Sequence, residues 1–151
     1  MNQPSYLFTR VSSERYVFIS SGKQEIKKAV EFTASDRQNL YNIAFGDQLT
    51  DGTIDDTVKS NNGDIIKVLA TVVKILTAFI AEVPQATIVF VGSSNERTRL
   101  YGRILRTYYL NFSKEYIISA FRLSEEVFEE VPFDPTEITI DYHAFFVRKI
   151  T

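Results

Sequence analysis

Asp47, Asp51, Asp55, Asp56 and Asp64 place five carboxylates within eighteen residues. Carboxylates at that density suit a hard divalent cation such as Mg²⁺, or general acid–base work. Asp47, Asp55 and Asp56 are the candidate metal ligands, and these three together with Asp64 are the candidate catalytic groups. The run Asp47 to Asp51-Gly52 does not match a calcium-binding loop, which needs oxygen ligands at alternate positions and a closing Glu. Aspartates also serve turns and helix caps for local reasons, so a structural role stands beside the chemical one.

A second cluster begins at Gly92-Ser93-Ser94-Asn95, between an apolar run, Ala86–Val91, and a helical pattern. Free main-chain N–H groups at the positive end of a helix attract phosphate or carboxylate. Small residues permit close approach, so Gly92, Ser93, Ser94, Asn95, Arg97 and Arg99 form the candidate anion site. Neither a Walker loop nor a dinucleotide fingerprint is present. The simpler alternative is that Ser94 or Asn95 only caps the helix. Arg97 falls in the middle of the apolar face, where a cation requires a carboxylate or a bound anion. An anion clamp and an internal ion pair both meet that requirement.

The remaining chemistry is narrow. The chain has no cysteine, which excludes disulfides, thiolate metal sites and cysteine nucleophiles, and its single histidine excludes a multi-histidine metal centre. On a regular strand, His143 would share a face with Asp141 and Phe145, giving a base with an orienting partner; with no identifiable nucleophile, a structural histidine is the favoured reading. A net charge of −2 argues against a broadly basic nucleic-acid binder. Glu125, Glu126, Glu129, Glu130, Asp134 and Glu137 form an acidic stretch, read as a solvated loop or a docking surface for a basic partner.

The elements that must position these groups follow from periodicity. At 151 residues with 44% hydrophobic content, one domain spanning 1–151 is expected. Residues 6–11, 13–20, 25–32 and 39–45 read as strands of an antiparallel meander, and residues 47–64 as a long loop. From about Asp64 to Val83 the pattern is helical, with Ile65, Ile66, Leu69, Val72, Val73, Leu76, Phe79, Ile80 and Val83 on one arc. Lys67, Thr71, Lys74, Ala78 and Glu82 would form the wet stripe, Asn61 to Asp64 supply caps, and Pro84 stops the helix. After strand 86–91 comes a second helix, 96–110, with Leu100, Tyr101, Ile104, Leu105 and Tyr108 buried and Arg99, Arg103 and Arg106 outward. Residues 115–123 and 138–150 are strand-like. The expected class is α+β: a meander, then α-β-α, then C-terminal strands, with two main helices on one mixed sheet. The longest apolar stretch is broken by charges, so no membrane span is expected, and no secretory signal opens the chain. A cytoplasmic location is the expectation.

The strings YVFISSGK, FGD, IDD, SNNGDIIKVLATV and GSSNERTRLYGRI resemble a bacterial family of unknown function, made of stand-alone proteins about this long. The resemblance extends to about Tyr109, and the last two strings are its specific part. It implies that Asp47, Asp55, Asp56, Asn61, Asn62, Gly63, Asp64, Lys67, Gly92, Ser93, Arg97, Thr98, Arg99 and Tyr101 occupy motif positions. It implies no activity.

Two functions from different classes fit. One is phosphate recognition of a nucleotide or RNA at the Gly92–Arg99 turn, with the aspartates as metal ligands or acid–base groups. The other is a non-enzymatic interaction protein, such as one half of a bacterial toxin–antitoxin or defence pair, with Arg97 in a structural ion pair. Whether it is an enzyme, and whether it forms a homo-oligomer, stay open at this level.

Overall fold

Period-2 alternation puts Tyr16, Phe18 and Ser20 on one side of β2 (Arg15–Ser21), and all three are buried. A computed structural model, describing residues 4–56, 61–92, 94–138 and 141–150, shows how the other elements meet this strand. β1 (Phe8–Arg10) and β3 (Glu25–Ala34) flank β2, both antiparallel. Then come β4 (Leu40–Gln48), β5 (Ile54–Asp55), α1 (Ile65–Glu82), β6 (Thr87–Phe90) and α2 (Asn95–Thr107). The short α3 (Tyr109–Phe112), β7 (Tyr116–Ser124), β8 (Val127–Pro132) and β9 (Ala144–Lys149) complete the described elements. Hydrogen bonding links the strands in the order β1-β2-β3-β4-β6-β9-β7-β8, with β5 on β4. The sheet is mixed, because β6 runs parallel to β4 while β9 is antiparallel to β6. The class is α+β, as expected.

Residue contacts divide the chain into two compact units, and β4 contributes to each. The first comprises Met1–Thr33 and Ile43–Val83. Its core is the inner face of β2 and β3 against α1, with the rings of Phe32 and Phe79 stacked at 4.0 Å. α1 departs from its helical projection in two places. Ile65 and Ile66 are exposed, whereas Thr71, assigned to the wet stripe, is fully buried. The reason is the N-terminal segment, which covers the stripe at Thr71: the Tyr6 N–H donates to Thr71 Oγ1 at 2.8 Å, and Thr71 donates to the Lys67 carbonyl.

The second unit comprises Ala34–Asn42 and Pro84–Thr151. α2 packs on β6 and β9 through Tyr101 against Phe90, and Gly102 lies so close to the Phe145 ring that a Cβ there would clash. Tyr101, Ile104, Leu105 and Tyr108 are buried as the pattern requires, and Leu100 is half-buried. The acidic stretch is corrected here. It is not a loop throughout, because Val127–Pro132 pairs along β7 as a strand. Residues 138–150 are corrected the other way, since β9 begins only at Ala144.

The β7–β8 hairpin turns on Glu125 and Glu126, with φ of 50° and 67°. A two-residue turn of type I′ needs left-handed backbone at both central positions, which suits Asn-Gly and is unfavourable for Glu. Replacing the pair by Asn-Gly is expected to raise the unfolding free energy by about 1–2 kcal/mol. Urea denaturation measures this, and an unchanged midpoint would count against strain at this turn.

Candidate functional site

The aspartates do not share one loop. Asp47 lies on β4 and Asp55 on β5, directly across from each other in register. Gly46 permits that approach, because a Cβ on it would collide with the Asp55 carbonyl. The cation beside Asp47 is already part of the chain: the Lys28 ammonium ion-pairs with it, and both side chains are largely buried. Asp56 is half-buried and also engaged. Asp51 stands apart, exposed, accepting from the Thr53 N–H and hydroxyl, which hold its carboxyl below the ordinary value. Arg15 fixes the intervening turn by donating to Glu31, Gln48 and the Gly52 carbonyl. Among the described residues, no three acidic or histidine side chains are grouped to hold a metal ion.

Asp64 does something the sequence did not suggest. It sits at the N-cap of α1 yet makes no side-chain cap bond. Its Oδ2 instead accepts from the Tyr6 hydroxyl at 2.5 Å and the Ser20 hydroxyl at 2.5 Å. Burial and then the Asp64 bond push the Tyr6 hydroxyl above its ordinary pKa. Next to it, buried Asn62 donates to Ser20 Oγ and the Gln24 carbonyl and accepts from the Gln24 N–H. Lys67 stands over the Tyr6 ring at 4.3 Å. These groups tie the segment before α1 to the β2–β3 turn, where Gly22 has no room for a Cβ against Asn62. The bonds satisfy one another, which is the signature of a structural lock.

The second candidate cluster belongs to the other unit. Ser93 lies outside the described residues. Ser94 caps α2, its hydroxyl accepting from the Arg97 N–H at 3.2 Å. The Gly92 N–H donates to Thr98 Oγ1 at 3.0 Å, and a Cβ on Gly92 would strike Arg97 and Thr98. Asn95 is exposed, and Arg97 is half-buried and engaged. Arg99 forms a two-pronged pair with Asp141, at 3.1 and 3.0 Å. That pairing raises the Arg99 pKa and lowers the Asp141 pKa. It also corrects the expectation that Asp141 orients His143: neither is in a strand, and His143 packs edge-on against Phe128 at 5.1 Å.

The feature that the sequence concealed is the end of the sheet. β8 is a terminal strand, and Leu123, Val127 and Phe128 are 49%, 63% and 59% exposed. Its order Val-Phe-Glu-Glu-Val has no period-2 alternation, so the strand was not legible until β7 supplied its pairing. Lys28 is absent from the sequence candidates, though a signal marks it. It shares the alternating face of β3 with Val30 and Phe32, and a charge on a core face calls for a partner.

No helix among the described residues is long and apolar enough to cross a membrane. No curated protein and no solved structure matches the sequence. A family model matches residues 2–150, so it also takes in the C-terminal strands that lay beyond the resemblance. The chain belongs to the family of unknown function DUF6934.

Proposed function

We propose that this chain acts by binding another protein, with the β7–β8 hairpin as the contact surface. One observation carries this reading: β8 ends the strand order with apolar side chains exposed beside an edge that no other described strand pairs. Polar groups of the two chemical clusters support it from the other side. Lys28 neutralises Asp47, Asp141 occupies Arg99, and Ser94 works as a cap. A cognate protein of a toxin–antitoxin or defence pair is one partner of this kind. The test is a photo-crosslinking residue at Val127, with Thr107 as an exposed control, in cells that make the protein. The expected result is a discrete protein adduct from position 127 and none from 107. Adducts that do not depend on position would overturn the proposal.

A second reading, phosphate recognition at the Gly92–Arg99 turn, is favoured by the half-buried Arg97 in the first turn of α2. Nucleotides and short RNA, with and without Mg²⁺, test it by thermal shift. A ligand at about a hundred times its Kd stabilises by roughly 2.7 kcal/mol, a shift of several degrees. The reading requires that shift to disappear in a folded Arg97→Ala variant; no shift with any ligand rejects it.

A further inference from the structure

An open strand edge is a template for another strand, and proteins blunt it with charged side chains, proline, a bulge or a cover. β8 carries two carboxylates, Glu129 and Glu130, and a terminal proline, Pro132, which leaves Val127–Val131 as an edge open to a strand of opposite charge. We infer that this edge receives an extended cationic segment of a partner protein by strand addition. The inference rests on the interaction reading above and specifies the partner's chemistry.

The register defines what an added strand would meet. Phe128 and Glu130 lie on one face of β8, with Leu123 opposite Phe128 and Ser119 Oγ donating to Glu130 at 2.6 Å. Val127, Glu129 and Val131 lie on the other, with Arg122 paired to Glu129 at 3.0 Å. Along its length the edge therefore presents two apolar residues, two carboxylates and one apolar residue. The hairpin tip adds Glu125 and Glu126, so one arginine faces four glutamates across Arg122–Glu130. Cross-strand pairs stabilise when apolar meets apolar and opposite charges meet. The complementary segment has two adjacent cationic residues, one for each face, flanked by apolar residues.

The same charges argue against a second copy of this chain. Antiparallel pairing of β8 with itself, centred on the strand, sets Glu129 against Glu130 of the other copy in both halves. Like charges placed directly opposite destabilise a ladder. Main-chain bonds would supply affinity, and the carboxylates would select the partner.

The test uses the full chain and a short synthetic peptide, Thr-Val-Lys-Lys-Val-Val-Thr, followed by fluorescence anisotropy at low salt. Two control peptides carry Glu in place of Lys, or N-methyl groups on alternate amides. The Lys peptide is expected to bind, the N-methylated one to fail, and salt at about 0.5 M to weaken binding. A Glu129→Lys, Glu130→Lys variant should lose about tenfold for the Lys peptide and gain for the Glu peptide. Circular dichroism checks its fold, and Glu129→Gln, Glu130→Gln replaces it if it does not fold. Equal binding of the Lys and Glu peptides would overturn the charge selection and leave strand addition standing. Undiminished binding after N-methylation would overturn strand addition. Binding by none of the peptides would overturn the whole inference, while the Val127 adduct separately decides the interaction reading.

Discussion

Lys28→Ala is expected to lower the unfolding free energy by about 3–5 kcal/mol, the cost of stranding a buried charge. Lys28 is on the core face of β3, and its side chain and that of Asp47 are 7% and 16% exposed. Removing the ammonium leaves a carboxylate that water reaches poorly, directly across from Asp55 on β5. Two carboxylates opposite each other repel, so the lysine offsets more than one unfavourable term. For a chain of this size the melting midpoint should fall by about 10 °C or more. The informative control is the double variant Lys28→Met with Asp47→Leu. Replacing both partners by apolar groups of similar volume is often neutral or stabilising, so it should recover most of the loss. A Lys28→Ala variant within about 1 kcal/mol of the parent, by urea unfolding, would mean that solvent compensates Asp47.

Phe79→Ala should cost a similar amount, about 3–5 kcal/mol, through lost burial and the cavity left behind. The ring is 1% exposed and stacked on Phe32, itself fully buried, at an interplanar angle of 9°. Ile66 provides the contrast. Helical periodicity placed it on the same apolar arc as Phe79, yet it is 63% exposed. Ile66→Ala should therefore fall within about 0.5 kcal/mol of the parent. Equal losses at both positions would contradict the orientation of α1 described here.

The regular elements could be read from the sequence because neighbours two to four residues apart set them. The alternation of Tyr16, Phe18 and Ser20 marks β2, and the repeat from Leu69 to Ile80 marks α1. Gly92 and Ser94 announced a strand-to-helix turn whose cap is indeed Ser94. The pattern also singles out Arg97, because an arginine on an apolar helix face requires a partner.

What those partners are was decided by contacts distant in sequence. Asp64 gave up capping α1 because Tyr6, 58 residues away, and Ser20, 44 away, reach its carboxylate first. Asp47 is a candidate metal ligand by composition, and Lys28, 19 residues earlier, ion-pairs with it. Helical projection puts Thr71 on the wet stripe, and the N-terminal segment folds over it. β8 has no pattern of its own and exists as a strand because β7 is there to bond it. Local patterning determines which elements form, since one stretch of chain contains the whole signal. Which charge is neutralised, and which edge is left open, depends on two stretches at once, and only the tertiary structure brings them together.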